Sequence, residues 1–326
     1  MKKSDRTEQA LGWLSALESE LDDAAVMREL KGYLANSSNL VVAKAAKIAR
    51  ERGLNQLLSD LVGAFDRLMV DPAKLDKRCA AVTEIAMALY EMDYTEPEVY
   101  RKGISHVQME PSFGPPVDAA AALRGICAQG LLRTRCSDGL EQVVTVLADP
   151  QPPARVGAAR ALATNGGEAG ALVLRLKALV GDRDVEVMME CFSGLLTINR
   201  DAAVEFVAGF AESGDGEVCE AAILALGASR VPKAIQVLKE KWDRTVRGPA
   251  RKTLLLALAA SRDEDALNFL LSLLDESNIE IASSVITSLA VHKNSERIRQ
   301  AVSQAVDRRH ERALIDAFRR EFAGVI

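Results

Sequence analysis

Five nine-residue segments share one pattern at nearly constant spacing, and that register leaves the chain few ways to fold. "ARVGAARAL" begins at Ala154, "VMMECFSGL" at Val187, "VCEAAILAL" at Val218, "ARKTLLLAL" at Ala250 and "IASSVITSL" at Ile281, in steps of 33, 31, 32 and 31 residues. An apolar first residue is followed by apolar or small residues four, five and eight positions on, which is one face of an α-helix. A second apolar run follows in each unit, as in "AVEFVAGFA" from Ala203, "AIQVLKEKW" from Ala234 and "ALNFLLSLL" from Ala266. Each unit is therefore expected to be two helices joined by short turns. Looser copies begin upstream, "VVAKAAKIA" at Val41, "KRCAAVTEI" at Lys77 and "DAAAALRGI" at Asp118, spaced 36, 41 and 36 residues to Ala154. One such unit cannot bury its apolar face alone, whereas a stack of neighbours can.

Turn chemistry supports the same division. Asp149, Asp182, Ser213 and Asp275 stand ahead of first helices, where a side-chain oxygen accepts from the unpaired N–H groups of the first turn. Pro150, Pro152, Pro153, Pro232 and Pro249 fall in turns or first turns, where a missing N–H costs little. "NGGEAG" at 165–170 marks the turn inside one unit.

These segments resemble the HEAT-repeat family, in the short-repeat variety found in bacteria, over about residues 22–306. The resemblance implies an all-α fold, a right-handed α-α superhelix of about eight two-helix repeats with helical caps. It divides 1–326 into N-terminal capping helices at 1–34, irregular repeats at 35–147, regular repeats at 148–306 and a polar C-terminal cap at 307–326. In this family an arginine at the second position of the first helix commonly reaches an aspartate in a neighbouring turn, forming a ladder. Arg155 and Arg251 hold that position, with Asp149 and Asp182 as expected acceptors. Met188, Cys219 and Ala282 replace the arginine elsewhere.

Composition narrows the function classes. Aromatic residues make up 4% of the chain and the net charge is −5, so a whole-protein basic field for nucleic acid is absent. Five cysteines lie scattered without a C-x-x-C pair, which reads as reduced thiols in a cytoplasmic protein. No apolar run is long enough to span a membrane, and the N-terminus lacks the apolar core of a secretory signal.

Chemistry-bearing motifs are scarce. The three histidines, His106, His292 and His310, are far apart, and no zincin pair, phosphate loop or nucleophile elbow occurs. HEAT-like diiron hydroxylases carry repeated His-Glu pairs; this chain has one, His310-Glu311, so no metal or other cofactor is expected. HEAT-like DNA-alkylation glycosylases use tryptophans and an aspartate, which directs attention to Trp242 and Asp243. Phycobilin lyase subunits share the repeat type, but a shared repeat does not carry chemistry. The expected reading is non-enzymatic, and these enzyme classes stand as the alternative.

Partner binding has two candidate surfaces. Second helices of HEAT repeats usually line the concave face, where Glu205, Gln236, Lys239, Asn268, Arg299 and Gln300 form a polar strip suited to another protein. The longest interval between repeats, "YTEPEVYRKGISHVQMEPSFGPPVD" at 94–118, predicts a helix capped by Thr95 and running to His106 or Val107. The proline-stiffened loop 108–116 follows, with Phe113 at its tip. Phe113 either anchors a partner or folds back to fill a mismatch between irregular and regular repeats. Residues 181–220 hold two bases against ten acids, and 230–262 hold nine bases against two acids. Such opposite spans either pair internally or steer a partner. The basic span offers a nucleic-acid alternative, although it lacks interleaved aromatics. An imperfect cap leaves self-association open.

Overall fold

The computed structural model describes residues 3–17, 22–212 and 216–322. Two helices, α1 (Lys3–Leu17) and α2 (Asp23–Leu34), precede the repeats. The repeats then follow as helix pairs. The first two are α3 (Asn39–Glu51) with α4 (Leu58–Leu68), and α6 (Ala80–Glu91) with α7 (Pro97–Ile104), with a short helix α5 (Pro72–Leu75) in the connection. Next come α8 (Ala121–Arg133) with α9 (Gly139–Leu147), and α10 (Pro152–Asn165) with α11 (Gly167–Val180). The last four are α12 (Val185–Asn199) with α13 (Asp201–Glu212), α14 (Glu217–Ala228) with α15 (Pro232–Arg244), α16 (Pro249–Ala260) with α17 (Glu264–Glu276), and α18 (Ile279–Leu289) with α19 (Glu296–Arg309). A final helix, α20 (Arg312–Phe322), packs on α18. The only strands among the described residues are β1 (Met109–Glu110) and β2 (Val117–Asp118). The all-α, HEAT-like class expected from the spacing is the class found, and the helix pairs among the described residues number eight.

The chain divides into two compact bodies, Met1–Val173 and Leu174–Ile326. In the N-terminal body the first helices α3, α6, α8 and α10 pack in series, while α7 and α9 lie against α8. In the C-terminal body α12, α14, α16, α18 and α20 form one series, and the second helices pair as α13 with α15 and α17 with α19. Small residues make these crossings close. A Cβ built on Gly157 of α10 would overlap the backbone of Gly125 in α8, and one on Gly125 would lie 2.8 Å from the Pro153 carbonyl oxygen. Helices that approach this closely leave little room for aromatic side chains, which matches their scarcity in the composition.

The structure corrects the upstream register. The buried faces are Ala81, Ile85, Ala86 and Leu89 on α6, and Leu123, Cys127, Ala128 and Leu131 on α8. The units thus start at Ala81 and Leu123, not at Lys77 and Asp118. Lys77–Cys79 is a turn in which Arg78 (φ 63°) and Cys79 (φ 51°) are left-handed, so the helical face cannot begin there. From the corrected starts, Asp76, Asp118, Asp149 and Asp182 each stand five residues ahead of the first inward-facing residue.

Several caps also differ from expectation. Gln151 is the cap residue of α10, and Asp149 accepts from its N–H two residues on. Asp184 caps α12, and Asp182 accepts from the Asp184 N–H. Asn278 caps α18, whereas Asp275 lies inside α17 and pairs with Arg308 at 2.7 Å. Asp149 and Asp182 each stand two residues before the cap and so fix the turn that leads into the helix. Ser213 lies outside the described residues. The helix expected from Thr95 starts at Pro97 with Glu96 at its cap and ends at Ile104.

Candidate functional site

A row of aspartates in the sequence stands ahead of α6, α8, α10 and α12, and the one ahead of α6 behaves differently from the rest. Asp118, Asp149 and Asp182 each accept the N–H two residues on, the local turn that aspartate favours. Asp76 instead accepts from the N–H groups of Ala81 and Val82, at 3.0 and 2.8 Å, and from the Asn39 amide at 2.9 Å. Arg124 spans two members of the row. Its Nε and Nη2 donate to the two Asp149 oxygens at 2.7 and 2.9 Å, Nη2 also meets Asp118 at 2.8 Å, and Nη1 donates to the His106 carbonyl at 2.8 Å. Arg124 is 3% exposed. This is a ladder rung of the expected kind: with the unit started at Leu123, Arg124 occupies the second position.

Arg155 and Arg251 hold the same position in their own units. Arg155 donates to the carbonyls of Asp149 and Pro150. Arg251 donates to the carbonyls of Thr245 and Val246, and its guanidinium lies 3.9 Å over the Trp242 ring. The next turn offers Glu276, five residues ahead of Ile281, where a ladder needs an aspartate, and Arg251 is held by carbonyls and a ring face. Asp182 is paired with Lys177 at 2.8 Å.

The segment read as a loop at 108–116 is a hairpin, with Met109 opposite Asp118 and Glu110 opposite Val117. Pro111 and Pro116 have no N–H to donate, which ends the ladder after two pairs. Its base is fixed from several directions. The Gln108 N–H donates to Asp118 and the Ala119 N–H to the Gln108 carbonyl. The Gln108 amide donates to the Asp76 carbonyl at 3.0 Å and to Glu110 at 2.6 Å, and Glu110 also accepts from the Arg78 N–H. At the tip, the Ser112 hydroxyl donates to the Pro115 carbonyl at 2.7 Å and accepts from the Gly114 N–H. Phe113 is fully exposed, so it does not fold back into the repeats. A cleft of about 550 Å³ beside it is lined by Arg78, Glu110, Pro111, Phe113 and Val117.

The ion clamp beneath the hairpin titrates. Burial works to raise the Asp118 carboxyl, but the hydrogen bonds from Arg124 and from the Ala120 and Gln108 N–H groups outweigh it and hold the group below its ordinary range. A depressed carboxyl stabilises the fold fully above its unfolded pKa of about 3.9 and loses that contribution as pH falls through the folded value. The stability difference between the wild type and Asp118→Asn should therefore be constant near neutrality and close below about pH 4. Urea unfolding across the acid range checks this; a difference that stays constant into strong acid contradicts it.

The second-helix strip lies in the C-terminal body. Glu205, Gln236, Asn268 and Gln300 are exposed, while Lys239 and Arg299 are half-buried. Glu205 of α13 pairs with Lys233 of α15 at 2.7 Å, and Gln236 donates to Glu240 within α15. Lys239 reaches over the Phe269 ring of α17 at 5.6 Å. Arg299 and Gln300 both donate to Glu296. A groove of about 530 Å³ between α15 and α17 brings Lys233, Gln236 and Lys239 against Asp263 and Asp265. Part of the charge asymmetry is internal: Lys233 pairs with Glu205, and both Lys241 and Arg244 reach Glu212.

The residues weighed for catalysis sit in quiet surroundings. Burial pushes the Cys79 and Cys191 thiols up to about 12 and raises Cys127 as well, so these sulfurs are protonated and poor nucleophiles at neutral pH. Trp242 is buried under Arg251 while Asp243 is exposed. No group of three or more metal-ligating side chains occurs among the described residues, and none of their helices is long and apolar enough to cross a membrane.

Stacked helix pairs bridged by an arginine–aspartate rung define an α-repeat protein. Residues 172–259 match the family model for HEAT repeats, and the all-helical architecture of paired helices supports the same family. No curated protein matches the sequence. HEAT repeats are commonly protein-interaction scaffolds.

Proposed function

We propose that the chain is a non-enzymatic scaffold that binds another protein through the 108–116 hairpin and the polar strip of second helices. The observation that carries this reading is Phe113: a fully exposed aromatic on a hairpin whose base is fixed to buried groups. An exposed ring on a loose loop loses conformational freedom when it binds, and a ring on a fixed hairpin loses much less. Aromatic anchors of this kind dominate interface energetics. The adjoining cleft, with a cation and an acid at its edge, supplies polar contacts around the ring. The strip adds alternating charge suited to an extended protein surface. The five free cysteines support a reducing compartment such as the cytoplasm.

The test is affinity capture from native extract at low and physiological salt, with the same protein titrated against duplex and single-stranded DNA. One stoichiometric protein partner is expected. Phe113→Ala should weaken its binding by about 30-fold or more, the scale of an aromatic hot spot, with the thermal midpoint unchanged. Salt-steep DNA binding without a protein partner would replace this reading with the nucleic-acid alternative through 230–262. Unchanged affinity in Phe113→Ala would remove the hairpin from the interface.

A further inference from the structure

Arg251 carries half of the arrangement that Arg124 completes. In Arg124, Nη1 donates to a carbonyl, while Nε and Nη2, which share one edge of the guanidinium, hold the two Asp149 oxygens at 2.7 and 2.9 Å. In Arg251, Nη1 likewise donates to the carbonyls of Thr245 and Val246, but Nε and Nη2 have no acceptor among the described residues. Glu276, the acid at the ladder position of the next turn, does not bond to it. The guanidinium is nonetheless fixed, by those two carbonyls and by the Trp242 ring 3.9 Å beneath it. It lines a cleft of about 670 Å³ within the C-terminal body. Arg247 and Lys252 line the same cleft; both are exposed, and neither has an ion pair among the described residues. Lys233, Lys241 and Arg244 of the same basic span are, by contrast, paired with Glu205 and Glu212.

We propose that this cleft binds a phosphomonoester dianion, presented as a phosphorylated side chain of the partner protein, with Arg251 as its two-point clamp; the protein source rests on the scaffold reading above. An unfilled Nε–Nη2 edge matches two oxygens of a carboxylate or of a phosphoryl group. Charge decides between them. The cleft is lined by three cations, Arg247, Arg251 and Lys252, and by one carboxylate, Glu280, which leaves two positive charges without a counterpart. A phosphomonoester carries about two negative charges at neutral pH. A carboxylate carries one, and so does each phosphate of a nucleic-acid backbone. The clamp is also preorganised: the stack on Trp242 has already removed much of the freedom of the arginine side chain, so little more is lost on binding. Val246, exposed by 76%, and Ile281 give the cleft an apolar edge against which residues flanking the phosphorylated one can pack.

Fluorescence polarisation of a labelled short peptide with one phosphoserine among neutral residues measures the affinity. Trp242 emission in a Trp13→Phe background, where Trp242 is the sole tryptophan, reports the place. The phosphorylated peptide should bind at least about tenfold more tightly than its unphosphorylated twin and should shift the Trp242 emission. Inorganic phosphate and dimethyl phosphate should compete more weakly than the unlabelled phosphopeptide. Arg251→Lys keeps the charge and loses the fork, and should weaken binding about tenfold. Arg247→Gln and Lys252→Gln alter exposed side chains that make no hydrogen bond among the described residues, and each should weaken it by about threefold or more. Glu280→Gln should tighten it. Equal binding of the phosphorylated peptide and its twin, or affinity indifferent to Arg247→Gln and Lys252→Gln, overturns the inference. Inorganic phosphate that binds as tightly as the peptide overturns the protein source, and single-stranded DNA that binds more tightly replaces it with a nucleic-acid backbone. Failure here is separate from failure of the scaffold reading, because the peptide titration needs no captured partner and capture through Phe113 needs no phosphate.

Discussion

Arg124→Ala is expected to lower the stability of the N-terminal body by about 3–5 kcal/mol, the cost of breaking a buried ion pair from one side. The substitution strands two carboxylates. Asp149 loses both of its guanidinium contacts and Asp118 loses its ion pair with Arg124, while the His106 carbonyl loses a donor. Arg124→Lys is expected to recover only part of the loss, because one ammonium cannot reproduce the fork that holds Asp149 at two points while touching Asp118. The Asp118 carboxylate also fixes the Gln108 and Ala120 N–H groups, so the hairpin base should loosen with it. Amide exchange at Gln108, Ala119 and Ala120 should accelerate more than exchange in α3, which lies away from the clamp. Urea midpoints and exchange rates for the three proteins decide the matter. A shift under about 1 kcal/mol would mean that water replaces the guanidinium, and that the rung is not what holds the turns.

Arg124 also shows where the sequence could be read and where it could not. The helix period and the 31–33-residue step in the last five units survive intact in the structure, because regular stacking repeats the same contact at the same interval. Upstream, the turn before α6 holds two left-handed residues and the hairpin inserts before α8, so the spacing no longer measures the repeat. Taking Asp118 as the first residue of its unit displaced that unit by five positions and hid Arg124 at the place an arginine was being sought. A signal was present: aspartate recurs five residues ahead of the inward face at 76, 118, 149 and 182. Anchoring the register on that acid instead of on the apolar run would have found the rung.

The hairpin was only half legible. Three prolines and a phenylalanine announced a stiff loop, but its strands are two residues long and draw their stability from side chains far away in sequence. Gln108 and Glu110 are bound by groups of the turn at 76–78, and no local pattern records such a contact. The leucines of α11 were hidden for the opposite reason. Leucine at helical spacing reads as core, and only the structure shows that Leu172, Leu176 and Leu179 are exposed while Leu174 is buried.

Asp76→Ala is expected to cost about 3 kcal/mol, and the argument rests on which groups lose their acceptor. Asp76 is fully buried, and its carboxylate receives the first free N–H groups of α6, from Ala81 and Val82, together with the Asn39 amide of α3. Ordinary capping residues sit next to the helix they cap. Here Arg78 and Cys79 intervene in left-handed conformations that non-glycine residues rarely adopt, so the carboxylate holds the turn as well as the helix. Removing it leaves two buried N–H groups without partners and releases the backbone that orients the Asp76 carbonyl toward Gln108. Asp76→Asn keeps one acceptor oxygen and should lose roughly half as much. Replacing Arg78 by glycine in the Asp76→Ala background should return part of the stability, since glycine takes a positive φ without steric cost. Thermal unfolding of the three variants beside the wild type measures each contribution. Equal loss in Asp76→Ala and Asp76→Asn would show that the negative charge stabilises α6, and that the count of hydrogen bonds does not.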